Sequence, residues 1–362
     1  MTVVFAGGGT GGHLYPAIAI ADALRERRAR IAFVGTADRL EATIVPKAGY
    51  QLYTIASRAL PRRPSFDFVR TIAANVKGTL QSLRLLALAR PDLVIATGGY
   101  VAFPVALAAR IRRLTRRSTA PIVLLEPNAA PGLTNRLLGP IVDEVWNVFG
   151  AGVPIRAALR ELPPRHEALA RLGLDPACKT LVAVGGSQGA RAINNALVAM
   201  TAEHRLPPGW QLLHLTGRDE YERVRAALER LDGDARKRHM ALAYLDEMAD
   251  AYAAADLMVA RAGASTLGEL AAVGKPAILV PYPFATQRHQ TENASRFEKA
   301  GAAVVVTDRD LEAGALPALL ARTMEPQRLA ALSEGARRLT GSDPLVEILA
   351  RIDALVPRRS DS

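Results

Sequence analysis

Twice in this chain an apolar run leads straight into a glycine-rich turn and then into a helical pattern. The first instance is Thr2 to Ala6, then Gly7-Gly8-Gly9-Thr10-Gly11-Gly12-His13, then Leu14 to Arg28. The second is Thr180 to Val184, then Gly185-Gly186-Ser187-Gln188-Gly189-Ala190, then Arg191 to Met200. A helix that follows a strand through so short a turn returns the chain to the start of the next strand, so successive strands pair in parallel. Short apolar strands alternating with helical stretches continue after each start. In the first half they fall near residues 31–34, 52–55, 93–96, 122–125 and 143–148. In the second half they fall near 211–215, 240–244, 257–260, 277–280 and 302–306. Two doubly wound α/β domains follow, and 362 residues suits two domains of ordinary size. Gly152, Pro154, Pro163 and Pro164 mark the break between them, so domains of residues 1–155 and 156–339 are expected.

Residues 257–294 are the most informative stretch. A strand breaks into the small-residue turn Arg261 to Thr266, and a helix carrying Glu269 follows. Gly274-Lys275-Pro276 ends that helix, a second strand runs to Pro281, and polar residues including His289, Gln290 and Asn293 come next. Two strand ends, a helix N-terminus and a carboxylate converge there, and an open parallel sheet binds ligands at such a place. Glycine turns at helix N-termini bare N–H groups, and the helix dipole favours an anion. The same glycines also serve simply to let strand and helix pack closely. Two such turns in one chain point to a phosphate-bearing ligand. Glu269 suits the vicinal hydroxyls of a ribose, or is an ordinary helix-face glutamate. Arg261 either neutralises phosphate or pairs with a carboxylate such as Asp256. His13 enters a helix N-terminus, where the dipole favours the neutral imidazole; it is a general base or a residue that caps the turn.

Several classes are set aside or kept as rivals. Gly7, Gly9 and Gly12 fit G-x-G-x-x-G, with Asp38 past the second strand as a ribose acid, which keeps an NAD-dependent oxidoreductase as an alternative. That reading predicts one nucleotide domain, not two glycine-turn halves. Neither turn ends in G-K-[ST], which argues against an ATPase. No H-E-x-x-H, C-x-x-C or clustered carboxylates appear, Cys178 is the sole cysteine, and no metal is expected. His204, His214 and His239 are scattered and read as surface or core residues. The net charge of +11 suits anionic partners or a solvated arginine surface. Modules that bind nucleic acid are missing, so no nucleic acid is expected. No apolar run is long enough to span a bilayer, and the start lacks a signal-peptide pattern, so a cytoplasmic protein is expected. Arg58, Arg62, Arg63, Arg70, Lys77 and Arg84, beside leucines in residues 58–88, either dock on anionic lipid or form an ordinary loop and packed helix.

Six stretches together resemble the peptidoglycan glycosyltransferases of the MurG family. They are GGGTGGHLYPA (7–17), GGYVAFP (98–104), EPNAAPGLTNRLL (126–138), GGSQGA (185–190), ARAGASTLGELAAVGKPAILVPYP (260–283) and QTENA (290–294). The resemblance implies a GT-B fold: two Rossmann-like domains facing a cleft, with the C-terminal helix, about residues 340–362, crossing back to the first domain. It implies inverting transfer of N-acetylglucosamine from UDP-GlcNAc to the muramoyl C4 hydroxyl of undecaprenyl-linked lipid I, giving lipid II, with no cofactor. The enzyme is then expected peripherally at the cytoplasmic face of the bacterial inner membrane, against its anionic surface. The family's positions carried onto this chain put Thr10, Gly11, Gly12, Asn128 and Gln290 on the donor, the last two on its sugar. Arg156 and Ser187 are expected on the diphosphate, Leu245 on the uracil through its backbone, Ala264, Ser265 and Thr266 on phosphate or ribose, and Glu269 on the ribose hydroxyls. Tyr100 is expected on the acceptor and His13 as the base. Pro127 and His289 depart from the pattern, each standing where the family has a glutamine. A GT-B transferase acting on another acceptor is the nearer alternative.

Overall fold

The computed structural model describes residues 1–59, 66–284, 289–339, 341 and 343–356. The chain divides into two compact units, Met1–Arg156 with Gly341–Ser362, and Ala157–Thr340. The first unit carries strands β1 (Thr2–Gly7), β2 (Arg30–Gly35), β3 (Gln51–Thr54), β4 (Leu93–Gly98), β5 (Ile122–Glu126) and β6 (Glu144–Asn147). The second carries β7 (Lys179–Val184), β8 (Trp210–Leu215), β9 (His239–Leu242), β10 (Leu257–Arg261), β11 (Ala277–Val280) and β12 (Ala303–Val305). All described pairings are parallel, in the orders β3-β2-β1-β4-β5-β6 and β12-β11-β10-β7-β8-β9. Each unit thus has the doubly wound order in which direction reverses beside its first strand. The reversal lies between β1 and β4 in one unit and between β7 and β10 in the other, where ligand crevices form.

Near-continuous apolar strands are what such sheets need, because helices cover both faces. Val3 and Phe5 point into one core, and Val4 and Ala6 into another, the two-residue alternation of a strand buried on both sides. The helix Pro344–Leu355 closes the first of these cores with Leu345, Ile348, Leu349 and Ile352, at helical spacing. Its start is fixed by Pro344 in the first turn and by Asp343, whose carboxylate accepts from the Leu345 N–H at 2.9 Å. In the second unit Leu181, Ala183, Leu257, Val259, Ile278 and Val280 line one core.

Register is set at the far end of the sheets by aspartates that precede strands. Asp92 accepts from the Thr2 N–H, Asp143 from the Ile122 N–H and Asp256 from the Thr180 N–H, each at 2.7 Å. Each aspartate ties its own strand to the first residues of its neighbour, and so fixes where the opposite, ligand-facing strand ends fall.

Candidate active site

In the first unit the glycine turn after β1 is built around a buried carboxylate. Glu41, fully buried, accepts from the Gly9 N–H at 2.9 Å, the Thr36 N–H at 3.0 Å and the Thr36 hydroxyl at 2.7 Å. A Cβ on Gly8 would lie 2.4 Å from a Glu41 oxygen, so glycine is required for the approach. This corrects two sequence expectations. Asp38, the ribose acid of the dinucleotide reading, is exposed, and the carboxylate at the turn is Glu41. The Gly9 N–H, offered as part of an anion cradle, is already occupied by an anion of the protein itself. Nothing in the sequence flagged Glu41.

Thr10 is exposed, and Gly11, Gly12 and His13 form the first turn of the helix Gly11–Glu26. The His13 imidazole lies against the end of β4. A Cβ on Gly98 would be 2.7 Å from the ring and 3.2 Å from Asn135 Oδ1, so only glycine, here at φ +98°, lets both side chains reach this spot. Tyr100 packs over Gly9, where a Cβ would meet its ring at 3.3 Å. A second buried carboxylate, Glu126 at the end of β5, organises the loop that follows. It accepts from the Asn128 N–H at 2.9 Å, Asn128 Nδ2 at 3.0 Å, Asn135 Nδ2 at 2.7 Å and the Gly132 N–H at 3.3 Å. Asn128 is therefore held by Glu126, which the sequence reading quoted within a motif but gave no role; so is Asn135. Arg156 falls in the first unit, at its last residue before the division, and its guanidinium stacks 4.6 Å over the Tyr15 ring.

In the second unit β7 and β10 are neighbours, so the turn 185–190 and the segment 261–266 emerge side by side at the reversal point. The helix after β10 is Ala264–Val273, so Ala264, Ser265 and Thr266 make its first turn. Glu269, buried in its next turn, accepts from the Tyr252 hydroxyl at 2.8 Å. Ser187 is fixed through its carbonyl, which accepts from the Arg218 N–H at 3.1 Å. Leu245 lies just before the helix Met248–Ala254. Gln290 starts the helix His289–Lys299, and its Oε1 accepts from the Tyr282 N–H at 2.9 Å, so any further contact through its Nε2 is a donation. Asn293, fully buried, donates to the Ala262 carbonyl at 3.1 Å and ties that helix to the turn after β10. Arg261 pairs with Asp308, at 2.5 and 3.1 Å, and also donates to the Val280 carbonyl. Asp256, suggested as its partner, instead pairs with Arg165 at 3.0 Å, because it sits at the opposite end of β10.

Arginines gather at the second turn. Beneath it Glu220 is shared by Arg191, at 2.8 Å, and Arg223, at 2.6 Å, and its hydrogen bond from Arg191 is the largest influence lowering its pKa. Arg218, at the same turn, stacks 4.5 Å over the Tyr244 ring. Two guanidiniums thus share one carboxylate at this turn, with a third close by in sequence, whereas the first turn is built on Glu41. The buried histidines also meet here. His214 bonds to His239 at 3.1 Å and to Asn194 at 2.9 Å, and Asn194 Nδ2 donates to the Thr216 carbonyl at 2.9 Å, next to Gly217. His239 is pushed down to about 4 by burial, and His214 is also lowered by burial and then by His239. Both are core residues, as their scatter suggested; His204 is exposed and pairs with Asp232.

Known proteins match both units. The model of the glycosyltransferase family 28 N-terminal domain matches residues 3–147, and that of the family 28 C-terminal domain matches residues 180–342. The UDP-N-acetylglucosamine--N-acetylmuramyl-(pentapeptide) pyrophosphoryl-undecaprenol N-acetylglucosamine transferase of Halothermothrix orenii is 38% identical over 94% of this chain and 95% of its own length. The protein of the same name from Salinibacter ruber is 40% identical over 98% of this chain and 97% of its own. Among solved structures, MurG of Acinetobacter baumannii superposes with a TM-score of 0.72 at 27% identity, over 98% of this chain and 99% of that one. The glycosyltransferase VinC, solved with dTDP, has a TM-score of 0.67 at 14% identity and shares the fold alone. The chain therefore belongs to glycosyltransferase family 28, among its MurG transferases, and its two parallel sheets are the paired Rossmann-like domains of a GT-B fold.

Proposed function

We propose that this protein transfers N-acetylglucosamine from UDP-GlcNAc to the muramoyl C4 hydroxyl of undecaprenyl-linked lipid I, with inversion, giving lipid II. The observation that carries the reading is the 36% to 40% identity to transferases named for moving N-acetylglucosamine onto N-acetylmuramyl-(pentapeptide) pyrophosphoryl-undecaprenol, spread over nearly the full chain and so over both units. The electrostatics support a division of labour. The donor diphosphate belongs with the arginine-flanked turn of Ser187 and the helix start at Ala264, and Glu269 with the ribose. The first unit, with His13 at its own glycine turn, supplies the base for a hydroxyl acceptor.

In a single displacement the acceptor oxygen bonds to the anomeric carbon as the bond to the UDP oxygen breaks. The proton of the hydroxyl passes to the His13 imidazole, and UDP leaves with the bonding electron pair. The charge that grows on the diphosphate is met by Ser187 and the backbone donors of the turn after β7, with Arg156 as a further cation. Asn128 and Gln290 hold the sugar, with Asn128 fixed by Glu126.

A lipid-linked acceptor requires approach to a bilayer. Among the described residues no helix is long and apolar enough to cross a membrane. The helix Phe66–Ala89 instead exposes Phe68, Ile72, Val76 and Leu80 at four-residue spacing, with Arg70, Lys77 and Arg84 also exposed. That pattern suits peripheral docking on an anionic leaflet; Arg62 and Arg63, assigned to the same surface, lie outside the described residues. The deciding experiment follows UDP release from UDP-GlcNAc with and without a lipid I analogue. Release that depends on the analogue supports the function; no release, or release with an unrelated acceptor alone, overturns it.

A further inference from the structure

The carboxylate assigned above to the ribose is not positioned by its own helix alone. Glu269 Oε2 accepts from the Tyr252 hydroxyl at 2.8 Å, and Tyr252 is 1% exposed. Tyr252 stands on the helix Met248–Ala254, whose other buried residues are mostly alanines packed against the unit. The same helix is gripped from outside: Asp250 takes Arg171 Nε and Nη2 at 2.6 to 3.1 Å. A phenol on so fixed a segment is a rigid donor, whereas a glutamate side chain has three torsions to settle. Leu245, expected at the uracil, lies three residues before that helix begins. The backbone that meets the base and the group that orients the ribose carboxylate therefore belong to one short stretch of chain.

We infer that Tyr252 is a positioning residue for nucleoside recognition. Its hydroxyl holds Glu269 in the orientation that receives the ribose 2′ and 3′ hydroxyls, so the preference for a ribonucleotide over its 2′-deoxy counterpart depends on a residue that touches neither. The inference rests on the ribose reading of Glu269. A tyrosine that only fills the core would contribute stability and leave that preference unchanged.

The test compares the affinities of UDP and 2′-deoxy-UDP for wild type, Tyr252→Phe and Tyr252→His by calorimetry. A ratio of the two affinities is insensitive to the fraction folded, since partial unfolding weakens both ligands equally. Wild type is expected to prefer UDP. Tyr252→Phe should lose about fivefold to tenfold in UDP affinity, the scale of one ordinary hydrogen bond, with little change for 2′-deoxy-UDP. Tyr252→His carries its ring N–H short of the place of the phenol oxygen and should lose the preference as Phe does. In turnover assays the Phe variant should raise KM for UDP-GlcNAc and leave kcat near normal. An unchanged ratio in either variant overturns the positioning role. Wild type that binds both ligands equally overturns the ribose reading of Glu269 itself, and the inference with it; wild type that binds no UDP overturns the proposed function.

Discussion

Glu41 decides what the first glycine turn is for. Three donors converge on its carboxylate, and the space beneath Gly8 is filled by it. Glu41→Ala would strand the Gly9 and Thr36 N–H groups and is expected to lower stability by about 3 kcal/mol, measured by urea unfolding; Glu41→Gln, which keeps an acceptor, should cost less. His13→Ala should cut turnover by roughly 100-fold, the scale of a lost general base, with UDP affinity nearly unchanged. Near-normal turnover would remove His13 as the base. At this scale the sequence was partly legible. Glycines, His13, Glu269 and Asn128 stand in recognisable motifs, whereas Glu41, Tyr252 and Asn135 act through contacts that no spacing announces. The Arg261 partner failed for the same reason: Asp256 is near in sequence, but a strand separates the two ends of β10.

Elements were easier to read than their neighbours. The order of strands and helices follows from two-residue and helical periodicity, with boundaries a residue or so off, as at β6, expected over 143–148 and found as Glu144–Asn147. Which strands lie side by side does not follow from periodicity, so the meeting of β7 with β10, and of His214 with His239, came only with the fold. The histidine pair sets a pH dependence. Buried rings held below the ordinary value of 6.5, to about 4 for His239, bind fewer protons folded than unfolded across that window. Stability is therefore full above pH 6.5 and is lost as pH falls toward 4, by about 3 kcal/mol for His239 alone. His239→Gln should flatten the acid limb of stability against pH by about one proton, although Arg223 also bears on His214; an unchanged slope would mean the pair is already accounted for elsewhere. The exposed ridge of Phe66–Ala89 makes a second prediction. Val76→Glu with Leu80→Glu should lower sedimentation with anionic vesicles severalfold and leave soluble UDP binding unchanged; equal sedimentation would remove this ridge as the docking face.

At the scale of the whole molecule, duplication of a strand–glycine turn–helix start was enough to give two doubly wound sheets. It was not enough to show what each turn is built on, since the contacts of Glu41 and the Arg191–Glu220–Arg223 cluster are made by folding. The chain also builds its first unit from both ends. Leu345, Ile348, Leu349 and Ile352 sit in one core with Val3, Phe5, Ile20 and Leu24. Ending the chain at residue 340 should lower the melting of the first unit by more than about 10 °C in calorimetry and leave that of the second in place, given roughly 1.5–3 kcal/mol for each buried side chain before ordering costs. A single unshifted transition would show that the helix adds nothing.

That closing helix also bears on the order of events during synthesis. A ribosome releases the residues of β1 to β6 long before it makes residues 344–355, so the first unit must wait with an apolar face uncovered while every strand of the second is translated. The later unit can therefore be finished before the earlier one, and a chain stalled anywhere in between presents an uncovered core to chaperones and proteases.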